Sequence, residues 1–403
     1  MFFFDIIYIV IIVVGGINMD KKTSKKSGLE LMRILSMLFI IVYHIIEHSG
    51  IIVQAVGGSR FLLILIEAFF VVHVNSFILL TGYFQSQKKA RLSKVISIIN
   101  STWFYKLFSL AGIVILVKYF SFSNSIDMSF HQKITSILPL DRNVNWYINN
   151  YLLIYIFSPF LNILVEKLSK EKFKKLILVM FVIFSLIGTL LIGSVVPAYG
   201  YGRSILTFIF LYFVGAYLRK YPIEESRIFN TYTDKMKKYL FLAIYVVLAL
   251  IIMAFRMTSI GIFDLGSAYG EIADVLNTLT ISFLSPLVIL EAVSYFLFFK
   301  NMTFNSKVIN FIGGTTFGIY LLHENIYICS NLYNWLGIEK YSNYGIKMIG
   351  MVIVLGIIIF IVCMIIEIIR KAIFKFFYKR KFAEKIRNKV QIFIKSLGLD
   401  INY

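Results

Sequence analysis

Runs of roughly 20 apolar residues recur along the chain, separated by shorter polar stretches. A helix rising ~1.5 Å per residue needs about 20 such residues to cross a hydrocarbon core ~30 Å thick. The pattern predicts ten spans, at about residues 30–50, 60–84, 95–119, 146–165, 176–195, 204–218, 239–256, 275–299, 308–330 and 346–369. Irregular backbone cannot face lipid, so ten helices packed in one bundle is the expected architecture. The fold class is therefore all-α integral membrane protein.

The first 18 residues, "MFFFDIIYIVIIVVGGIN", are apolar but short, carry Asp5, and lack the basic stretch of a signal peptide. They read as an eleventh helix or, the preferred reading, as sequence upstream of a natural start at Met19, which "DKKTSKK" follows. The expected organisation is an N-terminal extension at 1–18, one membrane domain at 19–369 and a basic tail at 370–403. That tail mixes Lys and Arg with Phe and Ile at helical spacing, which suits a helix lying on anionic membrane lipids at the cytoplasmic face.

Composition agrees with the pattern: 59% of residues are hydrophobic and only 15% charged. A formal charge of +20 would suggest a nucleic-acid partner in a soluble protein. Here most of the Lys and Arg sit in alternate loops, such as "KKTSKK", "KKARLSK" and "EKLSKEKFKK". That alternation follows the positive-inside rule, puts both termini in the cytoplasm if translation starts at Met19, and leaves no nucleic-acid partner to expect. Cys329 and Cys363 lie in apolar segments, so neither a disulfide framework nor a cysteine metal site is indicated.

Ionisable residues inside a span are functional candidates by default. Span one reads "LELMRILSMLFIIVYHIIEHSG". Arg33 and His44 are eleven residues apart, almost three turns, so they share a face roughly 16 Å apart. His48 continues that face one turn further. "HIIEH" also spells the H-x-x-E-H pattern of some zinc peptidases, with Glu47 between the histidines. Zinc needs a third protein ligand, and Glu67, Glu271 and Glu291 are poorly suited to supply it, so no metal is expected.

A second polar group opens span four, "RNVNWYINNYLLIYIFSPFLN": Arg142, Asn145, Trp146, Asn149 and Asn150. Amides beside an aromatic suit a sugar, which offers hydroxyls to bond and C–H faces to stack, although the aromatics also fit an interfacial belt. The third group is "TFGIYLLHENIYI", where His323, Glu324 and Asn325 reach a depth similar to that of His44. His73 reads as a core histidine. Arg203 and Arg256, at the outer ends of their spans, are anion sites or helix anchors.

These segments resemble the acyltransferase-3 family of integral membrane acyltransferases, especially those that O-acetylate bacterial surface polysaccharides. Arg33 and His44 reproduce its R-x10-H signature, and "YHIIEHSG" resembles its H-x3-H-x-G continuation. "VNSFILLTGYF", "NWYINNYLLIYIFSPFLN", "FLYFVGAYLRKY", "SPLVILEA" and "TFGIYLLHEN" follow in family order, from about residue 28 to 330. His73 and Glu324 depart from the family's usual small residue and Asp.

The resemblance implies a bacterial plasma-membrane enzyme that moves an acetyl group from acetyl-CoA to a hydroxyl of a cell-surface or lipid-linked glycan. Arg33 would hold the CoA phosphates and His44 would act as general base. His323 would orient His44 or donate to the oxyanion. His48, Asn145, Trp146, Asn149, Glu324 and Asn325 would line the substrate site. Some family members are assigned instead to polysaccharide export or to succinyl transfer, and those remain the alternatives.

Overall fold

The structure is a computed structural model and describes residues 27–120, 138, 146–190, 201–226, 228–264 and 270–378. The N-terminal extension with Met19 and the tail beyond Tyr378 lie outside the described residues. Within them every regular element is helical. The principal helices are α1 Ser27–His48, α2 Gly57–Phe70, α3 His73–Gln85, α4 Leu92–Phe120, α5 Trp146–Lys167 and α6 Lys170–Met180, which runs on without a break through the π-helical Phe181–Ile187 to Leu190. They continue with α7 Ile205–Lys220, α8 Asp234–Asp264, α9 Gly270–Ile281, α10 Pro286–Lys300, α11 Lys307–Gly313, α12 Thr316–His323, α13 Ile326–Leu336 and α14 Ile346–Tyr378.

Eight stretches of the described chain are long and apolar enough to cross a membrane. The chain is a multi-pass, all-α membrane protein. Two of the ten expected spans fall short of that length. α7 has 16 residues, and the span expected at 308–330 is divided into α11, α12 and α13. Local chemistry explains the division. The hydroxyls of Thr315 and Thr316 donate to the carbonyls of Ile312 (2.7 Å) and Gly313 (3.0 Å), competing with the helical ladder. Asn325 then starts α13 as its N-cap, accepting from the Tyr327 N–H at 3.1 Å.

α1 is the hub, packing against α2, α3, α10, α11, α12, α13 and α14. Its residues enter both large apolar cores: Ile40, Ile41 and Ile45 with α12 and α14, Leu29 and Met32 with α3, α7 and α10. Across its most apolar window α1 is 61% buried, against 22% for α4 and α8. The outer helices present the lipid-facing surface and α1 presents side chains to the interior. α3 and α7 meet backbone to backbone. A Cβ on Gly82 would run into the backbone of Tyr212, and one on Gly215 into the carbonyl of Leu79. Small residues permit this approach where lipid offers no hydrophobic drive to associate.

Four breaks interrupt the membrane helices, at residues 71–72, 282–285, 314–315 and 324–325. The third is one of the Thr-bonded turns above, and Ser285-Pro286 opens α10 with proline in its first turn. Non-helical backbone at membrane depth is tolerated where it lines a cavity or is buried in protein. His73, Phe283, Gly314 and Glu324, at or beside the four breaks, all face one cavity.

Candidate active site

That cavity has a volume of about 2130 Å³, more than twice the ~1,000 Å³ upper range for a drug-sized ligand. It has room for two ligands at once. Arg33, Lys88, Arg91, Lys94 and Arg219 line its basic end, and Tyr43, His44, Trp146, Arg203 and Glu324 its far end. Arg203, just before the first turn of α7, and Arg219, in its last turn, both line the cavity, about 24 Å apart along the helix.

At the basic end Glu30, only 5% exposed, pairs with Arg33, Oε2 to Nη1 at 2.5 Å. Gly313 makes room for this pair, since a Cβ there would collide with the Glu30 carboxylate. The neighbouring break is tied down by Lys371, which donates to the Gly314 carbonyl at 2.6 Å and pairs with Glu367 at 3.3 Å. Glu367 also accepts two hydrogen bonds from the Arg370 guanidinium, at 2.7 and 2.9 Å.

At the far end α1 delivers His44 to the α12–α13 break. His44 Nδ1 and Glu324 Oε2 are two buried atoms 2.7 Å apart, an ion-pair contact in which the ring N–H is not aligned on the carboxylate, and neither atom has a hydrogen-bond partner among the described residues. A carboxylate at that distance favours the tautomer with its proton on Nδ1, which leaves Nε2 as the bare nitrogen of a neutral ring. His323 packs beside it, ring centroids 5.5 Å apart. The His323 Nδ1 lies 2.9 Å from the Ile319 carbonyl, which can only accept. In the neutral form its Nε2 then carries no hydrogen. Glu324 is the residue in ion-pair contact with His44 Nδ1, and His323 in this tautomer has no hydrogen on Nε2 to donate.

His48 lies 5.1 Å from His44 by ring centroid and stacks on Tyr333. Two trios sharing His44 bring ligand atoms within 4.8 Å of one another: His44, His323, Glu324 and His44, Glu47, His48. The third ligand not found at Glu67, Glu271 or Glu291 is thus available from α12 and the turn after it. Two ligands of one tetrahedral zinc stand about 3.3 Å apart, given Zn–N and Zn–O bonds near 2.0 Å. The 2.7 Å between His44 and Glu324 is shorter than that, the distance of a direct ion-pair contact.

Trp146 lines the cavity, stacked on Phe283 at 5.7 Å with the Arg203 guanidinium over its ring at 5.6 Å. Asn145 lies outside the described residues. Asn149 is half-buried and is not on the cavity wall. Asn325 is engaged by the fold: its oxygen caps α13 and its nitrogen donates to the Tyr105 carbonyl at 3.4 Å. His73 is 2% exposed and lies on the cavity wall, its Nδ1 accepting from the Val74 N–H. Arg256 sits behind Tyr43 in a second, small cavity that Glu67 also lines.

Sequence reasoning reached Arg33, His44 and the His323–Glu324 cluster, but not Glu30 as partner of Arg33 or Glu324 as partner of His44. Glu30 carried a usable signal, one turn before Arg33 on the same helix.

Residues 26–368 match the sequence profile of the acyltransferase domain. The match covers most of the chain, which belongs to the acyltransferase-3 family and is a membrane acyltransferase. No curated protein and no solved structure matches it.

Proposed function

We propose that the enzyme transfers an acetyl group from acetyl-CoA to a hydroxyl of a cell-surface or lipid-linked glycan, with His44 as general base. The observation that carries this reading is one continuous cavity joining a cationic end at Arg33 to a carboxylate-paired imidazole at His44. CoA is a phosphate-bearing head on a long arm that ends in the thioester. Arg33, held by Glu30, with Lys88, Arg91 and Lys94 beside it, suits the phosphates through charge-assisted hydrogen bonds. The eleven residues from Arg33 to His44 span roughly 16 Å along the arm's path.

At the far end His44 Nε2 takes the proton from the acceptor hydroxyl as its oxygen adds to the thioester carbonyl. The tetrahedral adduct then collapses, the C–S bond breaks, and the imidazolium returns its proton to the departing thiolate. Glu324 holds the ring in the required tautomer and stabilises its charged form. Such base assistance typically gives about 10²–10⁴-fold.

The test follows radiolabelled acetyl from acetyl-CoA into glycan, using membranes that carry wild type or His44→Ala. Label in glycan with wild type only supports the reading. Equal labelling by both removes His44 as the base, and no labelling by wild type removes acetyl transfer to glycan.

A further inference from the structure

Cations stand at both ends of the cavity, and the donor uses only one end. Arg203 is the sole cation lining the far end among the described residues, and it forms no ion pair there. Its position is built. Tyr201 adopts φ 52°, uncommon for a residue with a side chain, and Gly202 follows at φ 82°. The turn is held by the Phe283 N–H donating to the Tyr201 carbonyl at 2.9 Å. Gly202 is packed so closely on Phe283 and Leu284 that a Cβ would clash with the Leu284 nitrogen. Asn150 donates to the Arg203 carbonyl at 3.3 Å, and the guanidinium lies over Trp146. Strained backbone persists where its surroundings over-determine it, and such turns cluster at ligand sites.

We infer that Arg203 is an anion-recognition site for the acceptor, so that the acceptor is a glycan bearing a carboxylate or a phosphate close to the hydroxyl that is acetylated. This rests on the acyl-transfer reading above. An exposed guanidinium at a helix anchor has no need of a left-handed tyrosine, a packed glycine and a stacked tryptophan to hold it over the chamber that contains His44. A planar fork of donors there matches both a uronic-acid carboxylate and the phosphate of a lipid carrier.

Four acceptor probes decide it, with the purified full-length protein in lipid nanodiscs and labelled acetyl-CoA. They are a uronic-acid oligosaccharide, its carboxyl-reduced neutral form, a polyisoprenyl-phosphate-linked sugar, and the same sugar on the polyisoprenol without phosphate. Within at least one pair, wild type is expected to favour the anionic member by about tenfold or more, as a hydrogen-bonded ion contact implies. Arg203→Gln brings that ratio close to one, and Arg203→Lys keeps part of it. The pair that responds tells carboxylate from phosphate, and a ratio within one preparation is insensitive to how much protein is folded. A wild type indifferent to charge in both pairs, a preference that survives Arg203→Gln, or transfer to none of the four overturns the inference. Hydrolysis of acetyl-CoA without acceptor tests the underlying reading separately: hydrolysis by His44→Ala at the wild-type rate contradicts the base assignment whatever the ratios show.

Discussion

His44 Nδ1 lies 2.7 Å from Glu324 Oε2, a buried ion-pair contact between two atoms that have no hydrogen-bond partner among the described residues. The two come from elements far apart in sequence, the outer part of α1 and the turn that closes α12. A carboxylate so placed selects the tautomer of a general base and steadies its protonated form.

Glu324→Gln keeps the shape but removes the charge. We expect kcat to fall by roughly 10²–10⁴-fold with little change in KM for acetyl-CoA. Steady-state kinetics on purified enzyme check this, and Glu324→Asp should recover part of the rate if its shorter arm still reaches Nδ1.

The Glu30–Arg33 pair predicts the opposite split. Arg33→Ala should raise KM for acetyl-CoA about 10- to 100-fold while kcat changes far less, because a charged hydrogen bond to a bound phosphate is lost. Glu30→Gln should give a smaller effect in the same direction, since Arg33 keeps its charge but loses the group that aims it. Acetyl-CoA saturation curves for both variants read this out.

Asn325 caps α13 and is expected to matter through stability. Asn325→Ala should cost about 1 kcal/mol, the usual loss for an N-cap, and Asn325→Asp should cost less. Thermal unfolding in detergent measures the first effect. An unchanged KM for the glycan acceptor separates capping from substrate binding.

The close approach of α3 and α7 predicts a sharp contrast between glycines. Gly215→Val puts a branched side chain where a single Cβ already collides with Leu79, and the protein should lose most of its folded yield. Gly112→Ala, in α4 with nothing within 4 Å of the added Cβ, should be neutral or stabilising by about 0.5–1 kcal/mol. Fluorescence-detected size-exclusion profiles distinguish the two outcomes.

Much of this site was readable before any coordinates. The spacing of Arg33 and His44 follows from helical geometry alone, and the shared depth of His44 and His323 follows from the alternation of spans. What could not be read lies at breaks. Nothing in "LLHENIYI" announces that the helix stops at His323, that Asn325 opens a new one, and that Glu324 in between faces α1. The division of the span expected at 308–330 has the same character, because it turns on local hydroxyl-to-carbonyl bonds at Thr315 and Thr316 that an apolar pattern does not reveal. The turn at Tyr201–Gly202 was hidden as well, since its support comes from Phe283, a residue remote in sequence.

The central claim is that the enzyme transfers acetyl groups to a glycan with His44 as general base. Proton NMR of surface polysaccharide from cells with wild type, with His44→Ala and with no protein tests it most directly. The account predicts an O-acetyl methyl signal with wild type alone, at equal membrane levels of the two proteins. An O-acetyl signal of wild-type strength in the His44→Ala cells, or no difference in acetylation among the three, would contradict it.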